Sequence, residues 1–540
     1  MIEHTISQQM ELSAEKFQNK LALSFPAENV KMDFVALKKN TDRVSKALLG
    51  IGLKKGDHIG IWSTNSSHWV LLALGAAQIG VVFVPVNAAY QSEELAYIVR
   101  NMDVNYLFVM ERIHGTPCVD RLEIFYENGK LNKGEFPALR GLYSMSEEGL
   151  GGLENWDTFQ QHAVPVTDEQ LEKAKALVSN RDIYSMQCTS GTTAMPKGAR
   201  LYQYGVLYTG NCYARLLRLD ESDISCVPLP LFHCFGNVLT LLGGLISGST
   251  TIYMESFSAS GMLKLLREEN CTCMAGVPTM FTAMLAQPNF DSSQYFVKKA
   301  GMGGSYCPPA LSQAIRDNFH CQGMTVGYGL SEAASLVTLS DIKDPEHSRL
   351  NTVGRPLPDF EVSLYDETTG QISKTLPQGE IICKGLGIMQ GYYNNPEETK
   401  KALDAEGWLH TGDLGTFDSD GYLRVVGRIK DIIVRGGENI SPSQIEELLL
   451  NLEEIRDVQC VGVPDPVLGE EVSAFVILKE NCQLSEEAVK SYVAAHLAKY
   501  KVPKYVFFTD RFPMNAAGKV LKRDLTRLAV ETIRERPREI

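Results

Sequence analysis

From Thr189 through Ser190, Gly191, Thr192, Thr193, Ala194, Met195, Pro196 and Lys197 to Gly198, ten residues hold four hydroxyl side chains, two glycines and a lysine. That mixture suits a ligand with several anionic oxygens. Backbone N–H groups in glycine-containing turns can converge as an anion-binding nest. Hydroxyls donate to phosphate oxygens, and Lys197 adds a positive charge. The string is not the GxxxxGK[ST] loop, because Lys197 is followed by Gly198 and its distance from Gly191 is wrong for that pattern. The phosphates of a nucleotide are the expected ligand; a solvated surface turn of small polar residues is the bland alternative.

The same string resembles the TSGTTGxPKG signature of the superfamily that holds acyl-CoA synthetases, adenylation domains and firefly luciferases. It departs at one position, Ala194, where glycine is usual. A left-handed backbone costs a residue with a Cβ about 1 kcal/mol or more, so Ala194 needs a negative φ. The histidine often found a few residues on is replaced by Gln203.

Further segments follow in the family's order, and the resemblance implies a role for each. Gly303-Gly304-Ser305 and Gly327-Tyr328-Gly329-Leu330-Ser331-Glu332 resemble the adenine pocket. Its glycines let backbone approach the base, and Tyr328 stacks on it. Ser331 would reach the α-phosphate. Glu332 would bind Mg²⁺, a hard oxygen donor for a hard cation shared with phosphates. Asp413, in Thr411-Gly412-Asp413, resembles the ribose ligand, and Arg428 its companion on ribose or phosphate. Lys430 falls at the family's hinge. Lys519, ending the 513–519 loop, resembles the catalytic lysine that neutralises the carboxylate and α-phosphate. Arg435-Gly436-Gly437 resembles the face that admits coenzyme A. His233, in Pro230-Leu231-Phe232-His233-Cys234-Phe235-Gly236, resembles a residue that orients the carboxylate or gates the pantetheine channel.

Together these imply a magnesium-dependent ligase that joins a carboxylic acid to ATP as an acyl-adenylate and passes the acyl group to coenzyme A. Amino-acid-activating members of the family commonly place an aspartate in the segment matching 232–238, and none lies here between residues 228 and 239. The stretch 276–281, which the resemblance puts near the acyl pocket, is apolar, so the resemblance implies an aliphatic acid and fatty acid metabolism. Gln390-Gly391-Tyr392-Tyr393 and Val434-Arg435-Gly436-Gly437-Glu438-Asn439-Ile440 resemble the medium-chain branch of the acyl-CoA synthetases. The alternatives are an adenylation enzyme that loads an acyl or aryl acid onto a carrier-protein thiol, and a nucleotide-binding homologue without turnover.

Elements must hold these residues in place. Apolar helical stretches alternate with β-branched runs through the first 350 residues, for example 70–79 with 81–86 and 261–268 with 273–277. That alternation predicts an α/β fold of βα units and mainly parallel sheets. From about residue 353 short strands between Gly, Pro and Asn turns predict a small β-barrel-like segment. After residue 428 the pattern becomes α+β: a helix over 442–451 capped by Ser441, strands over 458–463 and 472–478, a helix over 485–498 and a strand over 505–508. The expected division is therefore an adenylation domain over 1–428 and a smaller C-terminal domain over 429–540, which the resemblance implies is mobile.

The chain's 540 residues and 44% hydrophobic content supply a sizeable core without metal or disulfide staples. A formal net charge of −13 argues against a nucleic-acid partner. Twelve cysteines without a CxxC pair read as reduced core thiols. The apolar run over 69–86 contains Gln78, two glycines and Pro85, so a buried helix and strand are expected rather than a transmembrane segment. No signal-peptide pattern is read at the N-terminus, and a cytoplasmic location is expected, with the mitochondrial matrix as the alternative. Asn65-Ser66-Ser67 matches a glycosylation acceptor by chance.

Overall fold

A computed structural model describes residues 3–113, 115–147, 152–189, 196–436, 438–515 and 519–535, with only the backbone of Asn439. The chain forms two compact units: Met1–Glu361 with Cys383–Leu409, and Val362–Ile382 with His410–Ile540.

The first unit is built on two large sheets. One orders its strands Arg355–Pro356, Thr338–Leu339, Gly323–Tyr328, Lys299–Met302, Cys273–Gly276, Ile224–Val227, Thr250–Tyr253, Leu21–Phe25 and Val30–Asp33. Its central pairs are parallel, and its edge pairs are antiparallel. The other runs Gly141–Ser144, Tyr106–Val109, His58–Trp62, Val82–Val86, Ile183–Thr189 and Lys197–Tyr202, parallel except for the last pair.

The run over 69–86 shows why the chain folds so. Ser66 Oγ accepts the Trp69 N–H and starts the helix Ser67–Gln78. Every residue of Val82–Val86 is buried, as expected of a parallel strand covered on both faces. No helix among the described residues is long and apolar enough to cross a membrane.

A five-stranded sheet, most of whose residues belong to the second unit, is ordered Gln371–Ile372, Phe360–Asp366, Gly379–Gly385, Leu409–Phe417 and Leu423–Arg428. A further sheet contains the hairpin Ile455–Asp465 and Gly469–Leu478, with Tyr505–Phe508 added in parallel. The division expected after residue 428 falls inside this unit, where strand Leu423–Arg428 meets the turn Ile429–Asp431. The helix near 442 spans Pro442–Leu449 and makes no side-chain cap bond. The expectation for Ser441 is corrected here. Its hydroxyl donates to the Val426 carbonyl at 2.6 Å, tying the helix start to the preceding strand. Ser485 does cap the next helix, accepting the Ala488 N–H at 3.1 Å.

Candidate active site

In the first unit the ends of the expected phosphate loop are brought together by strand pairing, since Thr189 lies opposite Lys197 in the antiparallel register. Ser190, Gly191, Thr192, Thr193, Ala194 and Met195 lie outside the described residues. Lys197 Nζ is 2.8 Å from Glu398 Oε2 and 4.5 Å from the centre of the Tyr392 ring. The Tyr392 hydroxyl donates to Glu332 Oε1 at 2.7 Å.

Backbone contacts fix this chain of groups. Gln390 N–H donates to the Arg200 carbonyl at 2.9 Å, Arg200 N–H to Gly391 at 3.1 Å and Tyr393 N–H to Gly198 at 2.8 Å. The segment 390–393 is thereby zipped along the strand that starts at Lys197. Gly391 has φ +136°, and a Cβ there would lie 2.7 Å from Thr399 Cγ2, so glycine is required.

Glu332 stands in the short turn Ser331–Ala333, followed by Ala334 and Ser335 at φ 48° and 80°. Two successive left-handed residues with side chains are strained and hold the turn in an unusual course. Gly329 is needed beside it, because a Cβ would fall 2.1 Å from the Ser335 carbonyl oxygen. Tyr328 is buried, Gly304 and Ser305 are exposed, and Gly303 packs close to the Gly327 carbonyl where strands Lys299–Met302 and Gly323–Tyr328 end. Carboxyl ends of parallel strands are where α/β sheets bind ligands.

His233 is set by its neighbours. Phe232 belongs to the core under the six-stranded sheet, and its carbonyl accepts from Gln187 Nε2 at 2.5 Å. Cys234 Sγ is 3.7 Å from Ser331 Oγ, so this segment abuts the Ser331–Glu332 turn. A π-helical stretch, Phe235–Thr240, follows at once, a form frequent at functional sites. Burial, the largest influence on the Cys234 thiol, pushes its pKa up.

Asn65 holds the approach to His233 and was missed by sequence. It is buried, donates to the carbonyls of Leu229 and Met254 at 2.9 and 2.8 Å, and accepts the Leu231 N–H at 2.7 Å. Its burial agrees with reading the Asn65-Ser66-Ser67 glycosylation pattern as a chance match. Gln203, in place of the family's usual histidine, is also structural: it accepts the Ile6 N–H at 3.0 Å and donates to Ala77 at 2.9 Å.

The second unit gathers the remaining candidates. Arg428 Nε is 2.8 Å from Asp413 Oδ1, across the antiparallel register that pairs the two residues. Lys519 starts where the described chain resumes; its N–H donates to Asn515 Oδ1 and its carbonyl accepts the Asn515 N–H, both at 2.9 Å. Desolvation first, then Arg428 and Lys430, lower the Lys519 pKa to about 8 against the opposing pull of Asp413 and Asp431. Lys430 is lowered likewise, first by burial and then by Arg428. Arg428 thus pairs with Asp413, and Lys519 and Lys430 lie within the field of that pair and of Asp431.

Arg435 grips Glu471 with two hydrogen bonds, 2.6 Å from Nε and 3.2 Å from Nη2, and Glu471 is buried. Gly436 turns there at φ +59°; Gly437 lies outside the described residues.

Glu332 fits the cation expected of it. Its Oε1 is held by Tyr392, and among the described residues no cluster of three or more His, Cys, Asp or Glu could form an all-protein cage. Mg²⁺ is typically bound by one or two carboxylates together with substrate phosphates and waters.

The chain belongs to the AMP-binding enzyme family. The description "AMP-binding enzyme" matches residues 10–393, and "AMP-binding enzyme C-terminal domain" matches residues 444–519. It is 36% identical over 538 residues to "Putative acyl-CoA synthetase YngI" of Bacillus subtilis (strain 168), covering 98% of each chain. It is 31% identical over 534 residues to the medium-chain acyl-CoA ligase ACSF2, mitochondrial, of Rattus norvegicus, covering 97% of this chain and 87% of that one. The structure of the ATP-bound RpMatB-BxBclM chimera B3 matches with a TM-score of 0.82 at 25% identity, over 98% of this chain and 99% of that one. The protein is an acid–thiol ligase of the adenylate-forming kind, with a carboxylic acid, ATP and coenzyme A as substrates.

Proposed function

We propose that this enzyme activates a medium-chain fatty acid, with the residues of each unit taking the roles their neighbours suit. The 2.8 Å pair of Arg428 with Asp413, in whose field the Asn515-anchored Lys519 lies, is the observation that supports the assignment.

In the first half-reaction a carboxylate oxygen of the acid attacks the α-phosphorus, and the bond to pyrophosphate breaks. Negative charge gathers at the α-phosphate, where a positioned cation is worth most. Lys519 supplies that cation. Asp413 accepts from the ribose hydroxyls with Arg428 beside it. Lys197 and the 189–196 loop hold the β- and γ-phosphates, and Gly303, Gly304, Ser305, Gly327, Tyr328, Gly329 and Ser331 form the adenine and α-phosphate side. Glu332 would hold Mg²⁺, whose charge would offset that of the phosphates. His233 orients the carboxylate.

In the second half-reaction the sulfur of coenzyme A attacks the acyl carbon, the thiol proton is lost, and AMP leaves. Arg435, Gly436 and Gly437 receive the pantetheine arm. We assign residues 1–428 and 429–540 to the adenylation and C-terminal domains, with Lys430 as the hinge between half-reactions.

An apolar acyl tail is supported by buried Val277, Met280 and Phe281, with Val277 Cγ1 3.3 Å from where a Cβ on Gly304 would stand. The medium-chain name of the rat relative points the same way. Supplying ATP, Mg²⁺, coenzyme A and C4 to C16 fatty acids or benzoate, and following AMP and thioester, tests this. Maximal turnover near C6–C12 is expected; a preference for benzoate, or AMP release without acyl-CoA, overturns it. We place the enzyme in the cytoplasm, with the mitochondrial matrix as the alternative that imaging of the tagged protein separates.

A further inference from the structure

Lys197 is engaged by an anion of the protein's own. Glu398, at the start of helix Pro396–Ala402, reaches it at 2.8 Å through Oε2, while its Oε1 is 2.6 Å from Lys401. The two carboxylate oxygens thus bridge two ammonium groups, one at the base of the phosphate loop and one on the helix surface. The Tyr392 ring lies 4.5 Å below Lys197 and holds the ammonium whichever anion faces it.

We infer that Glu398 is a built-in stand-in for a nucleotide phosphate, occupying Lys197 until the β- and γ-phosphates displace it and returning when pyrophosphate leaves. This rests on the reading of Lys197 as a phosphate ligand.

Two features favour exchange over a permanent pair, and a third keeps Glu398 anionic so that it can return. The pair is partly exposed, 25% at Lys197 and 33% at Glu398, and exposed ion pairs are weak. A displaced Glu398 keeps a partner, because Lys401 already binds its other oxygen. The carboxyl is ionised throughout the physiological range, its pKa drawn down to about 2 by Lys197 first and then Lys401. A phosphate chain offers more charge than one carboxylate and wins the exchange. A single carboxylate competes well enough to speed the loss of pyrophosphate and to oppose its rebinding.

The test is binding of ATP, pyrophosphate and AMP to the full-length enzyme with Mg²⁺ and without acid or coenzyme A, by calorimetric titration. Glu398→Gln is expected to tighten ATP and pyrophosphate about twofold to fivefold, as removal of a competitor for a partly exposed cation should. AMP, which lacks the β- and γ-phosphates, is expected to bind unchanged. Lys401→Ala should act oppositely, weakening ATP by leaving Glu398 wholly to Lys197, and serves as the independent arm if Glu398→Gln folds poorly. Unchanged or weaker ATP binding in Glu398→Gln, or unchanged or tighter binding in Lys401→Ala, overturns the inference. Lys197→Met is the control on the underlying reading: full ATP affinity in that variant would remove Lys197 from the phosphate site, a separate failure.

Discussion

Lys197 in the first unit and Lys519 in the second are both proposed as nucleotide ligands, yet their surroundings differ in kind. Lys197 is neutralised: Glu398 lies 2.8 Å away, Tyr392 lies beneath, and Glu332 takes the tyrosine's hydroxyl. Lys519 lies among Arg428, Lys430, Asp413 and Asp431, and burial first of all lowers its pKa to about 8. A balanced cation suits a group that binds and releases. A cation in excess, partly stripped of water, suits one that acts when charge develops, because its field is strongest where little else screens it.

Lys519→Ala breaks the comparison most sharply. Adenylate formation, read by acid-dependent pyrophosphate exchange, should fall by about 10²–10³ or more. Conversion of a supplied acyl-adenylate to thioester should be largely intact, and equal loss of both half-reactions would contradict the role of Lys519.

Protonation sharpens it. Lys519 is charged below about pH 8 in the free enzyme and neutral above. The kcat/KM for ATP in adenylate formation should therefore fall about tenfold per pH unit on the alkaline side, since kcat/KM reports the free enzyme. Lys519→Arg, which cannot deprotonate in this range, should lose that limb even if its maximal rate is lower. A limb that persists in Lys519→Arg belongs to another group.

Smaller effects are expected in the supports. Asn65→Ala leaves two buried carbonyls and an N–H without their partner, and should destabilise the protein by about 1–3 kcal/mol in thermal unfolding. Tyr392→Phe keeps the ring under Lys197 and removes only the bond to Glu332. It should raise the Mg²⁺ concentration needed for half-maximal ATP binding severalfold, with melting temperature nearly unchanged; unaltered Mg²⁺ dependence would free Glu332 of that constraint.

Much of this was legible in the sequence because family motifs are local. The glycines, Lys197, Glu332, Asp413 and Lys519 carry short contexts that survive without the fold. The secondary structure was legible where one signal dominated, as in the buried strand Val82–Val86 or the strand Tyr505–Phe508. It failed where two partners compete for one hydroxyl. Ser441 stands at a helix start, but the nearby Val426 carbonyl takes its proton.

What the chain alone determined is chemical kind: hydroxyls, glycines and a lysine suited to phosphate, a carboxylate suited to a hard cation, a lysine after a glycine near the C-terminus, and an apolar stretch suited to an acyl tail. Tertiary structure alone decided which charges face which. Glu398 reaches Lys197 across 201 residues and Tyr392 reaches Glu332 across 60. Asn65 reaches Leu231 across 166. Side-chain identity fixes what a group can donate or accept, while its charge balance is set by neighbours that only chain folding brings within a few ångströms, where Coulomb and hydrogen-bond energies become large.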